Sequence, residues 1–197
     1  MRAVVLALTV GLALGAGACS RQSQSDKATR PHSETIVEPE TRVDSVPQEE
    51  PAVARSQWRA ASDVTRNVTG NLRVSMERQR GGPLIFAFAT GVTVRAQVYH
   101  EAPAGTRSGV GGQSLAAVLS GDPRVDAYLY RVLQETVTPS APLGGLCGQE
   151  RTRFLAVSEF VDPSGRWVFK VAAFKGDRGP ASGPDPQHCN SFSFTAQ

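Results

Sequence analysis

From residue 72 onward, apolar and polar side chains trade places with the period of two expected of a β-strand with one wet face. Leu72, Val74 and Met76 alternate with Arg73, Ser75 and Glu77, and the breakers Gly81-Gly82-Pro83 end the run in a turn that starts at Arg78. Leu84, Phe86 and Phe88 share one parity, which Val92, Val94, Ala96 and Val98 resume after Gly91. Strands most often run about 5–6 residues. So long a run predicts either a hairpin turned at Ala89-Thr90-Gly91, with Gly91 left-handed in a bulged turn, or one long bent strand. In 125–137, Tyr128, Tyr130 and Val132 oppose Ala127, Leu129 and Leu133; with both parities apolar, this reads as a central strand covered on two sides. Residues 154–161 and 167–174 read as strands joined by the turn Asp162-Pro163-Ser164-Gly165. Cys189 to Thr195 closes the chain with Phe192 and Phe194 on one face.

Between these runs lie loops and one helical pattern. Glu101 to Gly112 holds Pro103, Gly105, Gly109, Gly111 and Gly112 and reads as a loop; it lacks the Gly-Lys-Ser/Thr order of a phosphate cradle. Leu115, Val118 and Leu119 are spaced as a helix after a capping Ser114, stopping at Gly121-Asp122-Pro123, and such a helix would lie across the end of a sheet. Trp58 to Arg66 is either a short helix or an irregular lead-in, with Trp58 plugging one end of the core. The segments 139–145 and 176–187 are rich in Gly and Pro and break the pattern. The sum is a mainly β fold: about seven antiparallel strands and one short helix, in a sandwich or a small barrel.

Before residue 58 the pattern changes twice. Arg2 precedes an apolar run from Ala3 to Leu14, then small residues lead to Cys19. That layout is a secretory signal, too short for a membrane span of about 20 residues. With Ala16, Gly17 and Ala18 before Cys19, the segment resembles the lipobox of bacterial lipoprotein precursors; Ala16 stands where that family usually carries leucine. The resemblance covers only this segment, and the rest of the chain matches no family by its motifs. It implies a signal peptide over 1–18, an acylated Cys19, and, from Ser20, sorting to the outer membrane. Several acyl chains anchor stably, at about 0.8 kcal/mol per buried CH₂. From Ser20 to Gln57 the chain is rich in Ser, Gln, Glu, Pro and Thr, with only scattered Val and Ile and no aromatic residue, a composition that cannot offset its own ordering entropy. Residues 19–57 thus read as a lipidated N-terminus and disordered linker, with a span of roughly 35 Å. The folded domain occupies 58–197.

Charge divides along the same boundary. Ser20–Gln57 carries five basic and seven acidic residues, while the sequence from Trp58 carries fifteen basic and eleven acidic. The basic residues of the domain are scattered arginines, not the clustered face with stacking aromatics that nucleic acid needs. An anionic surface such as cell wall or lipid headgroups suits this balance better. Arg73, Arg78, Arg80 and Arg95, with the glycine loop 103–112, form the candidate binding surface.

If the lipobox resemblance consumes Cys19, Cys147 and Cys189 remain as a pair in an oxidising compartment, and a Cys147–Cys189 disulfide is expected. The rival reading makes Cys147, in Gly144-Gly145-Leu146-Cys147-Gly148, a nucleophile with His100 or His188 as base. Asp185, His188 and Cys189 lack a second ligand pair for a metal. Ser114 in Gly112-Gln113-Ser114 is no nucleophile elbow. Glu135, Glu150 and Glu159 lie on or near strands, where carboxylates can serve acid–base work but more often face solvent. No cofactor is implied. The leading expectation is a non-enzymatic, membrane-anchored domain that binds a periplasmic protein, such as a hydrolase to be inhibited, or a wall or lipid component. An enzyme using Cys147 or a histidine, and a purely structural envelope role, are the alternatives.

Overall fold

Eight antiparallel strands follow one another in sequence order and close on themselves in a computed structural model that describes residues 52–54, 56–77 and 81–196. The expected signal 1–18, Cys19, the linker as far as residue 51, and Arg78 and Arg80 lie outside the described residues. The strands are β1 (Gln57–Ala60), β2 (Leu72–Met76), β3 (Leu84–Phe88), β4 (Val92–Ala102), β5 (Ala127–Val137), β6 (Phe154–Val161), β7 (Trp167–Phe174) and β8 (His188–Ala196). Closure runs through β1, which pairs with β2 on one side and β8 on the other, Trp58 standing opposite both Leu72 and Ala196. The fold is therefore the barrel of the two expected architectures, with one strand more than expected. Within 58–66 a short strand is followed by the helix α1 (Asp63–Val68), so there are two short helices rather than one. At the linker's end, Ala52–Ala54 forms a 3-10 turn with Val53 buried, and Gln57 opens β1, so order begins before residue 58.

The alternation seen in the sequence becomes inside and outside. Trp58, Phe86, Phe88, Val94, Leu155, Phe169, Phe192 and Phe194 fill the interior, which in an eight-stranded barrel is just wide enough for side chains. Arg59, Arg73, Ser75 and Arg131 stand on the outer faces in solvent. This apolar-in, polar-out arrangement is the reverse of a membrane-spanning barrel. No helix among the described residues is long and apolar enough to cross a membrane.

A second core lies outside the barrel wall. The helix α2 (Leu115–Leu119) starts at Ser114, whose hydroxyl accepts from the Ala117 amide, and ends at Ser120 with φ +49°. It does not lie across the end of a sheet: Leu115, Val118 and Leu119 pack on Leu129, Ala156, Ala172 and Phe174, the outward side chains of β5, β6 and β7. That cover explains why β5 has two apolar parities around Ala127–Tyr130. Beyond it, Arg131 and Leu133 face solvent.

The two ends of the barrel differ. At one end, α1, the turn 89–91 and the loop 138–152 interlock, with Thr138 donating to the Gly91 carbonyl and Thr90 Oγ1 to those of Val68 and Thr69. Leu146 is driven into the interior core there. Glu135 holds the loop, accepting from the Leu146 amide and from the Thr152 amide and hydroxyl at 2.7–3.0 Å. The Cys147–Cys189 disulfide ties this loop to the start of β8, with the two Cα atoms 5.2 Å apart. The other end is open.

Candidate functional site

At the open end, four strands direct their last inward side chains into a cavity of about 1030 Å³. β5 supplies Tyr128 and Tyr130, in register with Val157 and Leu155 of β6. The β6–β7 hairpin sets Glu159 opposite Phe169 and Val161 opposite Trp167. Its turn is organised by Asp162, whose carboxylate accepts from the Ser164 and Arg166 amides, the Ser164 hydroxyl and the Arg166 guanidinium. Those bonds hold the carboxyl well below the usual range, the Ser164 hydroxyl contributing most. The hairpin register therefore comes from local turn chemistry, and it places Glu159 and Trp167 on the inner face.

β4 reaches the site by a bulge. Its pairing with β5 passes from Val98↔Tyr130 to His100↔Leu129, leaving Tyr99 as the extra residue. Beyond the bulge the parity reverses. Glu101 stands opposite Tyr128 on the inner face, and Ala102 enters the outer core. Such a bulge re-aims side chains at a barrel rim. Strict alternation from Val92 would instead turn His100 inward.

The floor is the barrel's own aromatic core. Trp58 is fully buried, with its ring centroid 5.1 Å from that of Phe169 and its indole N–H donating to the Val53 carbonyl at 2.9 Å. That bond seats the 3-10 turn so that Ala52 and Val53 line one side of the cavity. Tyr130 meets Phe86 edge-on at 5.7 Å. Burial raises the Tyr130 hydroxyl pKa well above the ordinary phenol range. Above the floor the walls stay partly open: Tyr128 is 42% exposed and Trp167 46%.

The charges of the mouth are unbalanced. Glu101, Asp126 and Glu159 line it, against Arg124 and His100. Arg124 is engaged with Asp122 by two side-chain contacts of 2.7 and 3.0 Å, and that guanidinium pulls the Asp122 carboxyl down to about 2. Glu159 Oε1 is buried and accepts no hydrogen bond among the described residues. Burial raises its pKa. Tyr128 is raised by burial and then by the Glu101 carboxylate beside it. The mouth thus combines aromatic walls, an apolar floor, an excess of carboxylates and one buried carboxylate oxygen, that of Glu159, with no partner among the described residues. Such a concave site can hold and orient a ligand.

Of the residues singled out from the sequence, His100 and Glu159 line the mouth, and the others fall elsewhere. Arg73 is exposed on the outer face of β2, opposite Ala87, and Arg95 on the outer face of β4 is ion-paired with Glu77 at 2.7 Å. The glycine loop 103–112 belongs with α2 and the segment 176–187, to which Ser108 and Gly109 are bonded through their carbonyls. The fold does not bring it onto the strands that carry the two arginines. Arginines are gathered instead at Arg131, Arg151 and Arg153, around a shallow concavity on the β5–β6 wall, where Arg153 pairs with Asp177 at 2.8 Å. Cys147 is spent in the disulfide and carries no thiol for nucleophilic work. His188 stands at the closed end, 5.4 Å from the Phe174 ring. The Ser191 hydroxyl donates to the Val118 carbonyl, so His188 Nε2 donates to Ser191 at 2.9 Å. Glu135 and Glu150 are engaged by the loop 138–152 and by Lys175.

The sequence reading missed Tyr128, Trp167, Glu101 and Glu159 as a group. The 162–165 turn already implied that Glu159 and Trp167 share a face with Phe169; nothing local said that the face was inward. No protein-family model, curated protein or solved structure matches the chain.

Proposed function

We propose that the chain is a lipid-anchored protein of the bacterial envelope whose barrel is a non-enzymatic binding module that takes an amphipathic envelope molecule, a lipid or wall component, into its mouth. The observation that carries the reading is the cavity of about 1030 Å³ whose floor is Phe169 and Val157 and whose rim is Tyr128 and Trp167. A closed barrel with a sealed end and an open, aromatic end suits a ligand with an apolar part and a polar head. The lipobox resemblance at Ala16–Cys19 supports the address, the outer membrane on its periplasmic side, and the linker would keep the mouth near the membrane while leaving it free to turn.

The test has two arms. Membrane fractionation follows the chain and its Cys19→Ser variant; the first is expected with membranes and the second in the soluble fraction. Equal partition of the two overturns the anchoring. The second arm titrates the neutral fluorophore prodan into the full chain. Binding is expected to quench Trp167, and Val98→Trp, which adds bulk at the rim, is expected to abolish it without lowering the melting temperature. Prodan uptake unaffected by Val98→Trp places binding outside the mouth and overturns the reading.

A further inference from the structure

We propose that the ligand of the mouth is a cation, an amphiphile with an alkyl- or quaternary ammonium head seated between Glu159, Glu101 and the rings of Trp167 and Tyr128. This rests on the reading of the mouth as a binding site and gives that site its ligand class. Three observations carry it. The first is the charge count of the lining, with Glu101, Asp126 and Glu159 against an Arg124 already engaged by Asp122. A concavity with low-dielectric walls focuses that negative field and repels fatty acids, phosphates and other anions. The second is the aromatic wall. Trp167 and Tyr128 present accessible rings beside the carboxylates, and ammonium groups are attracted to such ring faces, tryptophan most strongly. The third is Glu159 Oε1, buried with no donor among the described residues. A carboxylate in that position lacks the partner that buried charge requires, and a cationic head supplies it. The apolar remainder of the ligand then lies over Phe169 and Val157.

The burial that raises the Glu159 carboxyl agrees with this arrangement, because an adjacent cation favours the ionised form and reverses the shift. A neutral sugar head would satisfy the hydrogen bonding of Glu159 but leave three negative charges uncompensated.

The experiment titrates the full chain with three probes that share a twelve-carbon tail, each below its micelle concentration: dodecyltrimethylammonium, dodecyl maltoside and dodecyl sulfate. Trp167 fluorescence reports the site, with Trp167→Phe as the blank that leaves buried Trp58. The ammonium probe is expected to bind about tenfold more tightly than the maltoside, and the sulfate more weakly than either. Glu159→Gln, which keeps the shape of the side chain, is expected to remove about that tenfold preference of the ammonium probe over the maltoside. Equal affinity for the ammonium and neutral probes, or a preference that survives Glu159→Gln, overturns the cationic assignment. Maltoside or sulfate binding at Trp167 without ammonium binding also overturns it but leaves the mouth as a site. If no probe perturbs Trp167, both readings fall.

Discussion

Two glutamates on the inner face of the barrel stand in opposite circumstances. Glu135, near the sealed end, accepts three hydrogen bonds and thereby satisfies the backbone of a loop that would otherwise bury bare amides. Glu159, near the open end, has a buried oxygen with no partner among the described residues, and burial alone holds its carboxyl above the ordinary value. The sign of the pH effect follows. The folded state keeps the Glu159 proton to higher pH than the unfolded chain does, so this contribution to stability is complete below the ordinary glutamate range and is lost as pH rises through the folded value. Glu159→Gln is therefore expected to raise the melting temperature at neutral pH and to leave it unchanged near pH 3. Melting curves across that range check this; a constant offset between variant and parent at every pH would sink the titration argument.

At the scale of elements, the turn 89–91 joins β3 to β4 and also receives the loop 138–152. Gly91 has φ +98°, and a Cβ there would collide with the Thr138 hydroxyl. Gly81, in the turn before β3, has φ +77° with open space around it. Both positions disfavour a side chain, but only the first also blocks a neighbour. Gly81→Ala is expected to cost about 1 kcal/mol, the usual left-handed penalty. Gly91→Ala is expected to cost about 3 kcal/mol, because strain and displacement of Thr138 add. Urea denaturation of the two variants measures the difference, and equal losses would mean that the loop yields freely. The strand β1 belongs to this scale as well. It has only four residues, Gln57–Ala60, with Trp58 and Ala60 inward. A segment so short shows almost no periodicity, and from the sequence it reads as part of a short helix or an irregular lead-in. Its identity as a strand comes from the partners on either side, β2 and β8.

For the whole molecule, the disulfide and the closure of the barrel act on the same end. Cys147 and Cys189 enclose a separation of 42 residues. Tying a loop of that size restricts the unfolded chain by about 4 kcal/mol in the chain-entropy account, a large share of the 5–15 kcal/mol typical of a domain. Reduction, or Cys147→Ser with Cys189→Ser, is expected to lower stability by about that amount while the mouth, at the opposite end, keeps its affinity for the probes. Chemical denaturation and probe titration on the same sample check both halves. Two alkylatable thiols in the unreduced protein, or loss of probe binding together with the disulfide, would contradict it.

Much of this architecture is local and was legible along the chain. Seven strands, the hairpin turn at Asp162–Gly165, the cap at Ser114 and the left-handed Gly91 each depend on a few adjacent residues, whose periodicity and backbone preferences act over that short range. The disulfide pairing followed once Cys19 was assigned to a lipobox. Tertiary structure alone decided the rest. Closure depends on Trp58 meeting both Leu72 and Ala196, and the second core on α2 finding the outer side of the wall. The mouth depends on a bulge at Tyr99 that reverses the parity of β4 and brings Glu101 to Tyr128. Alternation along a strand distinguishes two faces but does not say which is inside, and a register shift of one residue exchanges them. A site built from single residues on four strands is therefore invisible until those strands are paired.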